Sequence, residues 1–531
     1  MAETDPDGAK CILAVDLGTS GCKAALVSAR GRVLHWHFCP VETILLSNGG
    51  AEQAPDAWWR AFLEASRAVL NHADLSRGQV VAICCSTQGE GTVPVDASGN
   101  ALMNAILWMD SRGAEALKSI TRGRVNVLGY HPWRLARWVY LTGGIPSATG
   151  KDPAAHMLYI RQQHPDIYRA THKFLNVLDY MNLRLTGRFV ATHDSILTSW
   201  VTDNRDPNNI HYSEALLRAC GIDCGKFPEL VRCTDVLGPL REDVAEALGL
   251  PSSVQVVAGA IDNTAAAVGS GAVRDGEAHL YIGTSSWLAA HVPFKKTDPF
   301  SSIASVPCAV PGRYLMMAMQ TTAGGNLTFL RDKILYHKDE LLAEEREQDV
   351  YKIMDKIAAR TPAGSRGVLY APWIYGERSP VEDQHVRAAL FNLSLENSRE
   401  DIIRSVLEGV ALNTRWMLGP AERFLRHRLD AINIVGGGAM SDVWCQIFAD
   451  VLNRTVRQVK DPIQANVRGA AFIAANGLGL LAFNEIPGCI EYRQSYEPRA
   501  EHRILYDRLF RELTTFYKRT KSIYRSMNRQ G

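Results

Sequence analysis

Apolar positions open the chain in short runs separated by turn residues. Residues 11–15 and 23–27 are apolar runs, the second opening on Lys23, and a third run, 32–38, follows the loop Ala29-Arg30-Gly31. Runs of this length around a Gly-containing loop predict an antiparallel meander of strands. The pattern then predicts a helix over 55–72, carrying the Trp58-Trp59 pair, and a buried strand over 79–86. In the second half, Ser398 with Asp401 three residues on predicts a capped helix start. Ile402, Ile403, Val406, Leu407, Val410 and Ala411 continue it as one apolar stripe, and Gly419-Pro420 predicts its end. Residues 441–453 and 464–476 read as further helices, the latter rich in small residues and so expected to pack tightly. Hairpins followed by helix-connected strands predict mixed-sheet α/β architecture.

A quasi-repeat organises these elements. Leu17-Gly-Thr-Ser-Gly-Cys-Lys-Ala-Ala25 can be laid on Ile282-Gly-Thr-Ser-Ser-Trp-Leu-Ala-Ala290, with five of nine columns identical at an offset of half the chain. Each copy has an apolar run before and after it, so each reads as strand, Gly-Thr-Ser turn, strand. The natural break falls near residues 269–275, which divides the chain into 1–271 and 272–531. Two similar halves facing each other would set the two turns on opposite walls of one cleft.

Composition narrows the function classes. Of 531 residues, 46% are hydrophobic and 21% charged, which excludes wholesale disorder. Lys and Arg number 58 against 56 Asp and Glu, a net charge of +2, so a dedicated nucleic-acid binder is not expected. The one basic concentration, from Lys518 and Arg519 to Arg529, reads as a solvated helix face. There is no apolar stretch of about 18 residues to span a membrane. The polar, acidic start, Met1 to Lys10, does not read as a signal peptide. Eleven cysteines without C-x-x-C spacing read as reduced thiols in a cytoplasmic protein, with Cys84 and Cys85 in the core.

The strongest chemical signal is Asp16-Leu-Gly-Thr-Ser-Gly-Cys-Lys23. Gly18 and Gly21 permit tight turning, and successive N–H groups with the Thr19 and Ser20 hydroxyls can surround phosphate oxygens. Asp16 enters this loop directly from a strand. A carboxylate beside phosphates needs an intervening cation, and Mg²⁺ suits it, because Mg²⁺ keeps several waters and shares itself with substrate phosphates. The alternative is an ordinary Asp-containing hairpin turn. No Gly-x-x-x-x-Gly-Lys-Ser/Thr string occurs, so this is not a P-loop protein. Asp262, in Gly259-Ala-Ile-Asp-Asn263, follows a strand and either caps the next helix or serves as a general base. Ile434-Val-Gly-Gly-Gly438-Ala-Met-Ser-Asp442 and Gln320-Thr-Thr-Ala-Gly-Gly325-Asn-Leu-Thr328 are further Gly-rich turns that admit a flat ring or a phosphate.

From Asp16 to about Asn476 the order of these motifs resembles the FGGY carbohydrate kinases, the group that contains xylulokinase, glycerol kinase and ribulokinase. The resemblance implies two ribonuclease-H-like domains of the actin and hexokinase type with a cleft between them. The family's C-terminal signature is met by Asp401-Ile-Ile-Arg-Ser-Val-Leu-Glu408. The chain departs from the family at Asn392, where glycine is usual, and at His156 and Tyr159, which replace a Lys-x-x-Trp pair. The resemblance implies that Asp16 organises Mg²⁺ and that Gly18, Thr19, Ser20, Lys23, Gly283 and Thr284 line the phosphates of ATP. It sets Gly324 and Thr328 near the phosphates or ribose, and Gly437, Gly438 and Asp442 around the adenine. Asp262 falls at the position of the base, with Asn263 beside it on a substrate hydroxyl.

For the sugar pocket, Ser86-Thr-Gln-Gly-Glu-Gly-Thr92 stands where xylulokinases carry a Gly-Gln-Met-His-Gly-like string and glycerol kinases an Arg-Glu pair. Gln88, Glu90, Trp108 and Asp110 are the expected sugar contacts. Core packing for Trp108 and an Asp110–Arg112 salt bridge are the plainer alternatives. The implied activity is ATP- and Mg²⁺-dependent phosphorylation of a small ketose, a pentulose such as xylulose first and a C3–C5 polyol second. The implied partners are small molecules, with a homodimer as the possible assembly. The rivals are a nucleotide-driven conformational machine and a non-catalytic sugar-responsive regulator.

Overall fold

Strand β1 (Cys11–Gly18) is buried on both faces, as its unbroken apolar run requires of a strand at the centre of a covered sheet. The computed structural model describes residues 10–72, 77–127, 129–335 and 350–528. Beside β1 lie β2 (Gly21–Ser28) and β3 (Val33–Pro40), antiparallel as the meander predicts. On its other side β4 (Val80–Thr87) runs parallel to β1, followed by β5 (Val236–Pro239) and β6 (Gln255–Ile261) to give the order β5-β6-β4-β1-β2-β3.

The second sheet has eight strands: β7 (Ala278–Ile282), β8 (Ser286–Val292), β9 (Thr297–Asp298), β10 (Ile303–Pro307), β11 (Tyr314–Gln320), β12 (Ala431–Val435), β13 (Thr455–Val459) and β14 (Tyr492–Tyr496). Their order is β9-β10-β11-β8-β7-β12-β13-β14. Within it, β11-β8-β7-β12-β13 repeats the order and sense of β3-β2-β1-β4-β6: three antiparallel strands, then two parallel ones. The half-chain repeat is therefore a repeat of topology, and the molecule is a mixed α/β structure of two such domains.

Four helices position the site: α1 (Pro55–His72), α2 (Asp262–Gly269), α3 (Arg399–Leu425) and α4 (Ala465–Gly477). Leu13, Val15 and Leu17 of β1 pack with Trp58, Phe62 and Ala65 of α1. The opposite face of the sheet, with Ile12, Ala14, Ala25 and Val27, is covered by Val467, Ala470, Ala471 and Phe472 of α4, which comes from the other half of the chain. The exchange is reciprocal. Ala266 and Ala267 of α2 lie against Trp287 and Ala289 of β8 and Leu315 and Met317 of β11 in the second sheet. The two helices meet where side chains vanish. A Cβ on Gly269 would stand 1.8 Å from the carbonyl oxygen of Ala465, and one on Gly469 would stand 1.9 Å from that of Ala265.

Helix α3 corrects one expectation. Its start is the capping box, Ser398 N–H donating to Asp401 Oδ2 at 2.9 Å. It does not end at Gly419-Pro420 but continues to Leu425 with Pro420 inside. An interior proline forfeits one ladder bond and costs about 3 kcal/mol. Burial of Met417, Leu418, Ala421, Phe424 and Leu425 along the same stripe outweighs it.

None of the eleven cysteines is in a disulfide, and Cys84 and Cys85 are fully buried. Lys518, Arg519, Lys521 and Arg525 are exposed on the helix Arg503–Asn528, a solvated face as expected, while Arg529 and most of the acidic N-terminus lie outside the described residues. Among the described residues no helix is long and apolar enough to cross a membrane.

Candidate active site

The first Gly-Thr-Ser turn closes between Gly18 and Gly21, which pair across β1 and β2. Gly21 has no room for a side chain, since a Cβ would lie 2.4 Å from the Cys39 carbonyl oxygen and 2.5 Å from the Phe38 ring. Gly18 is different: a Cβ there meets nothing nearer than 3.9 Å. Its bareness leaves open space above the turn. Thr19 is held from two sides, its hydroxyl donating to Gln88 Oε1 at 2.8 Å and accepting from Trp108 Nε1 at 3.0 Å. Gln53 completes the lattice, donating to the Thr19 carbonyl at 2.7 Å and accepting from Gln88 Nε2 at 3.0 Å. Gln88 is thus buried and occupied with the turn, whereas Trp108 presents 41% of its surface to solvent. Asp110 is wholly buried. Its carboxylate accepts from Ala51 N–H and from Arg112, the latter also paired with Glu52 at 2.7 Å. His156, likewise buried, bonds Thr92 and the Asp110 carbonyl behind the same wall.

Asp16 stands half-buried where β1 runs into the turn. Lys23 Nζ lies 3.8 Å from its Oδ2 and donates to the Ile463 carbonyl at 2.7 Å, while Asn466 Nδ2 donates to its Oδ1 at 3.1 Å. Asp262 begins α2, its Oδ1 accepting from Asn263 N–H at 2.7 Å, with Asn263 half-exposed beside it. Burial first, and the Asp16 charge second, push the Asp262 carboxyl up to about 7. Tyr281 of β7 feels both acids as well as its own burial, and its phenol is pushed far up. Its ring stacks on Trp287, with centroids 4.0 Å apart. Residues from both sheets thus converge on one acidic centre.

Glu90 reaches the same centre from the turn after β4. It is a non-glycine residue at φ 61°, between Gly89 and Gly91. Burial, then Asp152 and Asp262, push its carboxyl up to about 7, against the pull of Arg378 and Lys151. Asp152, itself raised to about 6 chiefly by burial, accepts from Trp200 Nε1 at 2.7 Å.

On the other side, the second Gly-Thr-Ser turn is stitched to the helix Gly324–Phe329. Gly324 N–H donates to the Gly283 carbonyl at 2.8 Å, and Ala323 N–H donates to that of Thr284 at 2.8 Å. A Cβ on Gly324 would stand 2.5 Å from the Gly283 oxygen, so glycine alone permits this docking. Thr284 is exposed at the turn's tip, and exposed Thr328 bonds Tyr351 at 3.1 Å. Further along the same sheet, Gly437 is exposed with nothing within 4 Å of a would-be Cβ. Gly438 packs on Ile282, and exposed Asp442 accepts from Gln458 Nε2 at 3.1 Å and pairs with Arg493 at 3.0 Å.

Reading the sequence missed Tyr281, Lys151, Asp152, Arg378 and Asn466. The first lies two residues before a motif glycine and could have been found by its place in the repeat. The others sit in segments with no motif, and only the fold brings them to the acids. Among the described residues no group of three or more His, Cys, Asp or Glu side chains could hold a metal by themselves.

The chain matches known proteins over most of its length. A model of the FGGY family of carbohydrate kinases, N-terminal domain, matches residues 11–269, and one of the C-terminal domain matches residues 278–478. A xylulose kinase of Staphylococcus epidermidis is 27% identical over 521 residues, 96% of this chain and 97% of its own. An autoinducer-2 kinase of an Enterobacter species is 25% identical over 520 residues, 95% and 94% of the two chains. The crystal structure of a gluconate kinase from Lactobacillus acidophilus shares the fold with a TM-score of 0.83 at 22% identity, covering 98% of this chain and 100% of its own.

Proposed function

Because the chain belongs to the FGGY family of carbohydrate kinases, and is thus a phosphotransferase with an alcohol group as acceptor, we propose that it phosphorylates a small ketose, foremost a pentulose such as xylulose. Its substrates are a sugar and ATP. The observation that carries the assignment of roles is the meeting of Asp16 and Asp262: one carboxylate from the end of β1 and one from the start of α2, at the mouth of a Gly-Thr-Ser turn, one raising the other's proton affinity. The choice of xylulose leans on the full-length similarity to xylulose kinases.

In this reading Asp262 accepts the proton of the attacking hydroxyl as a new P–O bond forms and the bond to ADP breaks. A carboxyl poised near neutrality suits that task. Asn263 and Glu90 orient the sugar from either side, and Trp108 walls the pocket. Gln88 and Asp110 act from behind, by fixing Thr19 and the Trp108 segment. Gly18, Thr19, Ser20, Gly283 and Thr284 cradle phosphates, with Gly324, Thr328, Gly437, Gly438 and Asp442 toward the nucleoside. Lys23 anchors the first turn to the opposite half. We divide the chain at 271/272, with the sugar on the first part and most of the nucleotide on the second. Positioning and charge compensation supply most of the rate, as phosphoryl transfer asks little covalent chemistry of a protein.

The residues present fit Mg²⁺. One half-buried carboxylate is enough for an ion that is shared with phosphates, and Asn466 Oδ1, buried next to Asp16, has no hydrogen-bond partner among the described residues. Bound with ATP, Mg²⁺ would offset phosphate charge.

An ADP-release screen of the purified protein over ketoses, polyols, sugar acids and autoinducer-2 tests the reading. Xylulose should give the highest kcat/KM. A polyol or sugar acid exceeding it tenfold would move the substrate class, and no sugar-dependent ADP from any compound would remove the catalytic assignment.

A further inference from the structure

Behind the candidate base lies a second carboxylate, with no cation paired to it among the described residues. Asp194 follows the strand Val190–Thr192 and is 2% exposed. Its Oδ1 accepts from the Thr192 hydroxyl at 2.5 Å and its Oδ2 from the Ile261 backbone N–H at 3.0 Å. Cys233 and Thr264 also bond it. All four partners are neutral donors. A buried ion without a counter-charge is expensive, and a neutral side chain of the same shape would fill this space at lower cost. The residue it grips is the one immediately before Asp262, the N-cap of α2.

We propose that Asp194 is a positioning residue for phosphoryl transfer: by holding the Ile261 N–H it sets where the Asp262 carboxylate points. The proposal rests on reading Asp262 as the base. The hydrogen bond fixes the peptide from which Asp262 hangs, while Asn263 N–H fixes one carboxylate oxygen from the helix side. The ionisable groups facing Asp262 are Asp16 from β1, Asp194 from its loop, Glu90 from the turn after β4 and Tyr281 from β7. Three of them are acids, so Asp194 also contributes negative charge that makes Asp262 hold a proton more tightly.

Four variants test this: Asp194→Ala, Asp194→Asn, Thr192→Val and Asp262→Ala. In Asp194→Ala, kcat should fall about 10- to 100-fold, the scale of a misaimed catalytic group, with KM for sugar and ATP within about threefold of wild type. Asp194→Asn keeps an acceptor for the Ile261 N–H, so most of kcat should survive. Loss of its charge should move the acid limb of the pH profile to lower pH. Thr192→Val, which loosens Asp194 without removing it, should lower kcat in the same direction with unchanged KM values, and it serves if the Asp194 variants do not fold. If Asp262→Ala is inactive while the other variants keep wild-type kcat and superimposable pH profiles, the proposal is overturned and the base reading stands. If Asp262→Ala keeps more than a third of turnover, the base reading falls and this inference with it.

Discussion

The side-chain amide of Asn466 donates to Oδ1 of Asp16 at 3.1 Å, a hydrogen bond between residues 450 positions apart. It ties the first turn of α4 to the end of β1, and Lys23 makes a second tie through the Ile463 carbonyl at 2.7 Å. Asp16 is therefore oriented by the far half of the chain before any ligand arrives. Asp16→Asn should lower turnover and raise the Mg²⁺ concentration needed for half-maximal rate. Asn466→Ala should shift the same titration less. An unchanged Mg²⁺ titration for Asp16→Asn would remove the metal role.

Asp262→Ala or Asp262→Asn should cut sugar-dependent ADP release by ~10²–10⁴-fold while leaving ATP affinity intact. The pH dependence follows from the carboxyl at about 7: the base works ionised, so kcat/KM should fall as pH drops below that value. Stability runs the other way. A carboxyl raised in the folded state binds its proton more tightly there, so folding stability declines between about pH 4, its unfolded value, and about pH 7. Asp262→Asn should consequently melt above wild type at pH 8, with the gap closing toward pH 4. Equal melting temperatures at pH 8 would show that the charge is compensated.

Glu90→Ala should raise KM for the sugar by about one to two orders of magnitude per lost charge-assisted bond, which contributes roughly 1.5–3 kcal/mol. KM for ATP should hardly move. Glu90→Gln should keep part of the affinity, because the backbone already accommodates a side chain at φ 61°. Wild-type kinetics for Glu90→Ala with the best sugar would send the search for substrate contacts to Arg378, Lys151 and Trp108.

The glycines of the two turns should fail in different ways. A Cβ on Gly18 meets no protein atom nearer than 3.9 Å, so Gly18→Ala should fold and melt normally yet bind ATP more weakly. On Gly324 it would stand 2.5 Å from the Gly283 carbonyl oxygen, so Gly324→Ala should lower the melting temperature as well. Calorimetry of both variants with and without ATP separates the two effects. Loss of stability in Gly18→Ala would contradict the open space seen above the turn.

Much of this was legible before the fold. The strands around Asp16 and Gly283 declared themselves because buried strands are continuous apolar runs, and the repeat announced a duplicated topology. α1 and the Ser398 cap were equally plain, because period and capping are local properties. Pro420 misled for the opposite reason: whether an interior proline ends a helix depends on what the next turn buries, and Phe424 and Leu425 are buried by partners distant in sequence. The site divided along the same line. Residues in Gly-rich turns stood out, whereas Asp194 and Asp152 lie in segments whose local pattern says nothing of a carboxyl. Gln88, Trp108 and Asp110 illustrate the limit on roles: one motif neighbourhood, read as a single cluster, distributes into a buried brace on Thr19, an exposed ring bonded to the same hydroxyl and a buried anchor.

The crossing of α2 and α4 bears on what counts as a unit of this molecule. Each sheet receives one of its covers from the other half, and the two covers touch through bare backbone at Gly269 and Gly469. A cut at 271/272 would leave the first fragment with the Ile12, Ala14, Ala25 and Val27 face stripped and the second with α4 unseated. Neither piece is self-sufficient, although each carries a complete copy of the repeated sheet.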